Sequence, residues 1–159
     1  MKAAATINRR SANTAMRKFL IMSIIGQRFA IPVLQVQDVL GPQRIASVPL
    51  APAWVAGVLN LRGRIVTAID VRRRLGLDES DHPGTEMSIV IEHDANLYSL
   101  IVDDVGEVME YGADAVGTNP ATLDPLWQQI STGIVRSDDG LLVILDVERL
   151  FALTQADAA

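Results

Sequence analysis

Two pairs of adjacent aspartates are the first candidates for chemistry in this chain of 159 residues. Asp103-Asp104 and Asp138-Asp139 could supply the carboxylates of a metal site or of a general acid–base pair. The second pair precedes Gly140, however, and Asp and Gly both tolerate the backbone angles of a tight hairpin turn. We therefore interpret Asp138-Asp139-Gly140 as a turn and not as part of a catalytic site.

The other residue types that enzymes use are scarce. The two histidines, His82 and His93, have no spacing that binds a metal or activates a nucleophile, so we expect both on the surface. The sequence has no glycine-rich phosphate loop and no Gly-x-Ser-x-Gly motif. It also has no cysteine, which excludes disulfides, thiolate chemistry and cysteine-ligated metals. The sequence thus predicts a protein that is not an enzyme and that uses no metal or cofactor.

The strongest basic cluster is Arg72-Arg73-Arg74. A nucleic-acid surface would need further Lys or Arg and stacking aromatics nearby, but aromatics make up 4% of the chain and its formal net charge is −5. We therefore predict a solvated helix face that takes part in protein binding at its rim. No apolar run approaches the roughly 20 residues that span a bilayer, so we expect no membrane insertion and a cytoplasmic location.

The turn Asn60-Leu61-Arg62-Gly63 suits recognition. A hairpin tip of this composition presents a long guanidinium on a rigid platform, which fits a carboxylate or a polar protein surface. The alternative is an exposed turn arginine that has no partner. The residues alone leave both interpretations open.

An internal repeat surrounds this turn. Gly57–Leu77 recurs as Gly133–Leu153, at an offset of 76 residues (133 − 57). Each copy has a glycine entering a strand, a polar turn, an apolar strand and a helix that Asp70 or Asp146 would cap. Only the first copy has the Asn-Leu-Arg-Gly turn, so similar scaffolds carry different surfaces. A weaker repeat at an offset of 69 (105 − 36) aligns Val36, Asp38 and Val39 with Val105, Glu107 and Val108.

Apolar runs and turn signals predict a mostly β fold built from hairpins. Hairpins are predicted at residues 19–33, 56–69 and 87–102. The segment 34–40 fits either a short helix or a twisted strand, residues 77–86 suit a connector, and residues 112–132 are rich in loop signals. With helices predicted only after Asp70 and Asp146, we expect two small antiparallel barrels packed together.

The run VAGVLNLRGRIVTAIDVRRRLGL strongly resembles the CheW family of chemotaxis coupling proteins, whose members carry Gly-x-x-Asn-Leu-Arg-Gly here. FLIMSIIGQRFAIPVLQVQDVL is similar to the family's opening strands, IVDDVGEVM to its Val-Asp-x-Val segment, and GIVRSDDGLLVILDVERLF to its closing strand and helix. The resemblance extends from about Lys18 to Phe151. Asp38 stands where the family usually has Glu, and Thr67-Ala68 replaces a more usual Pro-Val pair.

The resemblance implies two SH3-like five-stranded β-barrel subdomains with a few short helices. Residues 17–83 would form the first subdomain and residues 84–153 the second, with exchange of strands between them left open. Residues 1–16 and 154–159 would be tails. The short extension after Phe151 leaves no room for a kinase or receiver domain, so we expect a stand-alone coupling protein.

The function that the resemblance implies is that of a non-catalytic adaptor. It would link the cytoplasmic tips of methyl-accepting chemoreceptors to the regulatory domain of the histidine kinase CheA, in receptor arrays at the inner face of the membrane. Kinase contacts would lie near the barrel ends, around Gly57 and Gly133. The receptor-binding groove would lie between the subdomains and use Val36, Asp38, Val39, Arg62, Val105 and Val108.

Two other functions remain open on the residues. Small β barrels also occur as nucleic-acid modules, although the acidic charge balance opposes that function. A small acid hydrolase would use the paired aspartates, which have only turn-like sequence around them. Titration against a receptor tip, the kinase regulatory domain and single-stranded nucleic acid distinguishes the adaptor from the nucleic-acid module.

Overall fold

The computed structural model describes residues 16–77, 84–138 and 140–158. His82, Asp139, nearly all of the expected N-terminal tail and the middle of the connector lie outside this part of the chain. Within it, the chain is mostly β, as predicted. The strands are Met16–Ile24 (β1), Gln27–Pro32 (β2), Val36–Leu40 (β3), Val55–Leu61 (β4), Arg64–Asp70 (β5), Met87–His93 (β6), Asn96–Val102 (β7), Asp104–Gly112 (β8), Val116–Gly117 (β9), Ser131–Ser137 (β10) and Gly140–Leu145 (β11).

The helices are short. They are Val71–Arg74 (α1), Pro125–Ile130 (α2) and Val147–Ala158 (α3), with single 3-10 turns at Val33–Gln35 and Ala113–Ala115. The ambiguous segment 34–40 is therefore mainly the strand β3, which the first of these 3-10 turns precedes.

Aspartates cap the two predicted helices. Asp70 accepts a hydrogen bond from the N–H of Arg73 at 3.2 Å, and Asp146 accepts one from the N–H of Arg149 at 3.3 Å. Each bond satisfies an N–H that has no partner within its helix. Both predicted caps are confirmed.

The helix α2 was not predicted, because its segment is rich in turn residues. Its sequence signal is nevertheless present: Asp124 accepts a hydrogen bond from the N–H of Leu126 at 2.9 Å, and Pro125 occupies the first helical position. A capping residue followed by proline is a common start for a helix.

The strands form two sheets, in the orders β8-β1-β2-β11-β10-β9 and β3-β6-β7-β5-β4. The hairpin β1–β2 therefore lies with strands from the second half of the chain, and β6–β7 lies with strands from the first half. Two contacts that this exchange creates, β2 with β11 and β5 with β7, are parallel. The expectation of purely antiparallel barrels is wrong at these pairs. A tight turn can join only antiparallel strands, but each exchanged hairpin pairs with a strand from the other half of the chain, to which no tight turn connects it, so parallel pairing is possible.

The strand pairs that the two sheets have in common share the same registers. Phe29 pairs with Val143 in one sheet, and Tyr98 pairs with Thr67 in the other. These pairs are related by the two sequence offsets, 69 (98 − 29) and 76 (143 − 67). The edge pairs β1–β8 and β3–β6 obey the same relation. The sequence repeats thus describe one duplication in three dimensions.

Alternate side chains of each sheet enter different apolar layers, as the pleat of a strand requires. Phe19 and Ile21 of β1 lie in a core that belongs to the first sheet, whereas Leu20 and Met22 enter a larger core that both sheets share. The second sheet has its own inner core around Val66. Because the shared core fixes one sheet against the other, surface residues of both sheets can contribute to one site.

Candidate protein-interaction site

The β4–β5 hairpin turns over Arg62 and Gly63, since Leu61 pairs with Arg64. Both turn residues have positive φ, 52° and 85°. This is the geometry of a type I′ turn, whose twist suits a two-residue hairpin. The Asn60 side chain accepts a hydrogen bond from the N–H of Gly63 at 2.9 Å. The turn is therefore a rigid platform with Arg62 at its tip.

Arg62 has a partner, so the alternative of an unpaired turn arginine is wrong. Its Nη2 atom lies 3.0 Å from Oδ2 of Asp38, whose other carboxylate oxygen accepts the N–H of Val39 at 2.9 Å. The strands β3 and β4 are the two edge strands of their sheet. Because the Arg62–Asp38 ion pair joins these edges, the sheet must curl until they approach each other. The Arg62 side chain is 77% exposed, so the pair stabilises the free protein by only about 0.2–1 kcal/mol. Its main effect is to orient the guanidinium.

The valines of the expected groove divide into two groups. Val36 and Val39 on β3 and Val105 on β8 are half-buried and pack against the shared core. Val108, further along β8, is 53% exposed. The structure thus joins three of these valines through one apolar cluster and leaves the fourth at the surface.

The second copy of the repeat carries the opposite charge at the equivalent tip. Ser137 pairs with Gly140, so the β10–β11 connection begins at Asp138, where the sequence predicts a turn. Asp138 is equivalent to Arg62 by the offset of 76, and the exposed Glu107 is equivalent to Asp38 by the offset of 69. Two acidic residues therefore occupy the places of the Arg62–Asp38 pair.

Gly57 and Gly133 are buried beneath neighbouring backbone. A Cβ atom at Gly57, where φ is 149°, would overlap the carbonyl oxygen of Ala46 and lie 2.7 Å from the Ile45 side chain. A Cβ atom at Gly133 would lie 2.6 Å from the carbonyl oxygen of Gly117. Glycine is required at both places because an edge segment approaches the strand closely. Kinase contact near these glycines stays a prediction.

Asp103 connects the two sheets and does not form an acid–base pair with Asp104. Its Oδ1 accepts a hydrogen bond from Nε of Arg72 at 2.6 Å, and its Oδ2 accepts one from the N–H of Ile25 at 2.7 Å. Arg72 lies on α1 and Ile25 in the β1–β2 turn, so the carboxylate joins elements of different sheets. Asp104 is exposed and accepts the N–H of its neighbour Val105 at 2.9 Å.

The electrostatics of Asp103 favour its charged form. Burial by itself raises the pKa of this carboxyl. The hydrogen bonds from the Arg72 side chain and the Ile25 N–H, together with the positive charge of Arg72, outweigh burial, so the pKa lies below its ordinary value. Asp103 is therefore a structural anion at neutral pH.

The prediction of a solvated basic helix face is wrong for two of the three arginines. Arg72 forms the bidentate ion pair with Asp103. Arg74 is 2% exposed, and its guanidinium carbon lies 5.8 Å from the ring centroid of Trp54. Arg73 remains at the surface beside Asp70. Arg72 and Arg74 are withdrawn from solvent because α1 packs against β5 and β7, which a local pattern of charges does not reveal.

His93 also differs from expectation. Its side chain is 11% exposed and stacks on Phe151 with ring centroids 4.4 Å apart. Its ring nitrogens lie 3.4 Å from the Asp94 carboxylate and 3.2 Å from the Glu148 carboxylate. The part of the chain that the structure describes contains no group of three or more side chains able to hold a metal ion. None of the helices described is both long and apolar enough to cross a membrane.

Comparison with known proteins identifies the family. Residues 18–155 match the family model for the CheW-like domain. The chain belongs to the CheW-like family. It is 27% identical to the probable chemotaxis protein CheW of Rhizobium etli over 94% of this chain and 97% of that protein. It is 26% identical to the chemotaxis protein CheW of Klebsiella aerogenes, over 96% and 92% of the two chains.

A solved CheW structure has the same architecture. The crystal structure of the scaffolding protein TtCheW from Thermoanaerobacter tengcongensis superposes with a TM-score of 0.76, at 26% identity, over 86% of this chain and 93% of that chain. The predicted fold of two β subdomains is confirmed, although one sheet has six strands because it includes the two-residue β9. As a CheW-like member of a family of chemotaxis coupling and scaffold proteins, the chain is not an enzyme.

Proposed function

We propose that this CheW-like protein couples the cytoplasmic tips of chemoreceptors to the regulatory domain of the histidine kinase CheA. The observation that carries the proposal is the asymmetry of the duplication. Two equivalent β scaffolds present different tips, a cationic Arg62 held by Asp38 on one and the acidic Asp138 on the other. A protein that binds two different partners needs two different surfaces, whereas the duplicated fold itself does not require its two tips to differ.

The receptor site would combine the Arg62 tip with the apolar side chains beside it. Val36 and Val39 flank Asp38 on β3 and are half-buried, so a partner can complete their burial. Arg62 would then form polar bonds at the rim of the contact, where charge directs orientation and association rate more than affinity. Val105 and Val108 would contribute from β8, on the other sheet.

The kinase would bind towards the other end of the β4 strand. Gly57 lies near the start of β4, four residues before the strand ends at the Arg62 turn, and Gly133 takes the same place in β10. Separate ends for receptor and kinase would allow both to bind at once, as coupling requires. We place this assembly in the cytoplasm, at the inner face of the membrane.

Arg62→Ala is expected to weaken binding of a receptor-tip fragment roughly 10-fold without unfolding the protein. The tip contributes little to the core, but loss of its cation leaves Asp38 without its ion-pair partner in a desolvated contact. Isothermal titration with the receptor-tip fragment measures the affinity, and the melting temperature reports folding. Asp138→Ala is the matched control, since it removes a charge from the equivalent tip, and it should leave the affinity unchanged.

Equal receptor affinities of wild type, Arg62→Ala and Asp138→Ala would place the receptor site elsewhere. Tight binding of single-stranded nucleic acid in the same titration series, with no binding of receptor or kinase, would contradict the adaptor function itself. The acidic charge balance leads us to expect no such binding.

Val36→Ala is expected to reduce both receptor affinity and stability, each by about 1–2 kcal/mol. The side chain packs against the shared core and also faces the proposed groove. Its removal therefore reduces the apolar area buried on folding and the apolar area buried on receptor binding. Val108→Ala is the comparison, because this valine is largely exposed and should affect affinity with little change in stability. Denaturant unfolding and receptor titration of both variants test the pattern. A loss of stability in Val108→Ala equal to that in Val36→Ala would contradict it.

A further inference from the structure

An open cavity of about 310 Å³ lies on the second sheet, away from the Arg62 tip. Three of the chain's seven aromatic residues (two Trp, two Tyr and three Phe) line it, a high share for a protein with few aromatics. The proposed receptor and kinase contacts do not include it. We call it the aromatic cavity; its lining is Trp54, Val55, Thr67, Ile69, His93, Asp94, Tyr98 and Phe151.

Because the fold is duplicated, the first sheet has residues equivalent to those that line the aromatic cavity; we call them the second version of the cavity. One backbone hydrogen bond marks both versions: the N–H of Asp70 donates to the carbonyl of Trp54 at 2.8 Å, and the N–H of Asp146 donates to the carbonyl of Ile130 at 2.7 Å. The offsets of 76 and 69 give the lining of the second version as Ile130, Ser131, Val143, Leu145, Ile24, Ile25, Phe29 and Leu75. All of these except Ile25 are buried.

A tryptophan packs in the second version. Trp127 of α2 contacts Phe29 edge to face, with ring centroids 5.1 Å apart and an interplanar angle of 78°. Phe29 is the equivalent of Tyr98 in the aromatic cavity. The segment 41–54, which precedes β4, forms no helix that could take the place of α2. The cavity on the second sheet is therefore open where its copy is covered.

We propose that the aromatic cavity receives an aromatic side chain carried by a short helical segment of the kinase regulatory domain. The internal copy provides the chemistry of the occupant, since Phe29, the counterpart of Tyr98, already packs against a tryptophan carried by a helix of six residues. An aromatic anchor in a preformed pocket is also the usual centre of a protein interface. The inference rests on the proposed function, because it assumes that the kinase domain binds.

The position of the cavity favours the kinase over the receptor. Trp54 and Val55 lie three and two residues before Gly57, so the cavity adjoins the end of β4 where we place the kinase. The exposed carboxylates of Asp94 and Glu148 lie beside the lining residue His93. An acidic rim favours basic residues flanking the aromatic anchor of the partner.

Filling the cavity tests the proposal. Thr67→Phe adds bulk from the wall of the cavity and is expected to weaken binding of the isolated kinase regulatory domain at least 10-fold. Glu92→Phe is the matched control: it adds the same side chain on β6 beside His93, at an exposed position on the opposite face of the strand, and should change nothing. Binding is measured by isothermal titration, melting temperature controls for folding, and a receptor-tip fragment serves as a second partner.

Weaker kinase binding by Thr67→Phe, with unchanged receptor binding and a normal Glu92→Phe control, supports the proposal. Wild-type kinase affinity in a folded Thr67→Phe variant overturns it, and so does saturable binding of indole to the cavity with no effect on kinase affinity. If Thr67→Phe does not fold, Glu148→Lys on the exposed rim decides: a several-fold loss of affinity supports the proposal, and no change overturns it. Absence of kinase binding by the wild type would instead refute the proposed function.

Discussion

Replacement of Gly57 by alanine is expected to destabilise the fold by roughly 3 kcal/mol or more. The new Cβ would overlap the carbonyl oxygen of Ala46, and an L side chain rarely adopts the φ of 149° found here. The approach cannot relax easily, because Ala46 and Val58 exchange two backbone hydrogen bonds of 2.9 Å. Relief of the overlap would break this bridge and expose its polar groups.

Denaturant unfolding of Gly57→Ala and of Gly41→Ala tests this expectation. Gly41 has open space around its Cα and no positive φ, so alanine there is expected to change the free energy of unfolding by less than 1 kcal/mol. Gly133→Ala should resemble Gly57→Ala, with a smaller effect because its φ is ordinary. Equal stability of Gly57→Ala and Gly41→Ala would contradict the internal role of Gly57. Reduced kinase affinity in a fully stable Gly57→Ala protein would indicate direct contact.

Asp103→Asn is expected to cost about 2–3 kcal/mol of stability at pH 7. The substitution removes the charge from a bidentate pair with Arg72 and weakens the bond from the Ile25 N–H. Both side chains of the pair are largely shielded from water, where such a pair contributes more than at the surface. Together the two bonds connect α1 with the β1–β2 turn, which belong to different sheets, so their loss affects the whole fold. Asp104→Asn is the matched control, since Asp104 is exposed and accepts a hydrogen bond from the N–H of the next residue, Val105.

The pH dependence of this effect follows from the lowered pKa of Asp103. A carboxyl with a lower pKa in the folded chain than in the unfolded chain adds stability above its unfolded pKa and loses that contribution as the pH falls through its folded pKa. The wild type should therefore lose its advantage over Asp103→Asn below about pH 4. The nearby carboxyls of Asp70 and Glu86 are present in both proteins, so the comparison isolates Asp103.

Urea unfolding of the two proteins between pH 7 and pH 3 measures this difference directly. We expect the two stability curves to converge as the solution becomes acidic. A constant gap across this range would mean that the charge of Asp103 does not contribute, and that the loss comes from altered packing.

Much of this fold is a local property of the sequence. Three kinds of feature depend on neighbours within a few residues, and the structure confirms all of them. They are the hairpins at 19–33, 56–69 and 87–102, the helix caps Asp70 and Asp146, and the hairpin tip at Arg62. Turn residues and capping residues act through their own backbone geometry, which a single sequence displays. The repeat at an offset of 76 was visible for the same reason, since equal local structures reuse equal residues.

Tertiary structure decided which hairpin joins which sheet, and with it the parallel pairs β2–β11 and β5–β7. An apolar strand is equally suited to several partners, so its pattern of burial does not specify its neighbour. The ion pair of Arg72 with Asp103, the burial of Arg74 and the stacking of His93 on Phe151 depend on that choice. From sequence alone, these residues resemble surface charges, because Asp103, Trp54 and Phe151, which they contact, lie at least 20 positions away in the chain.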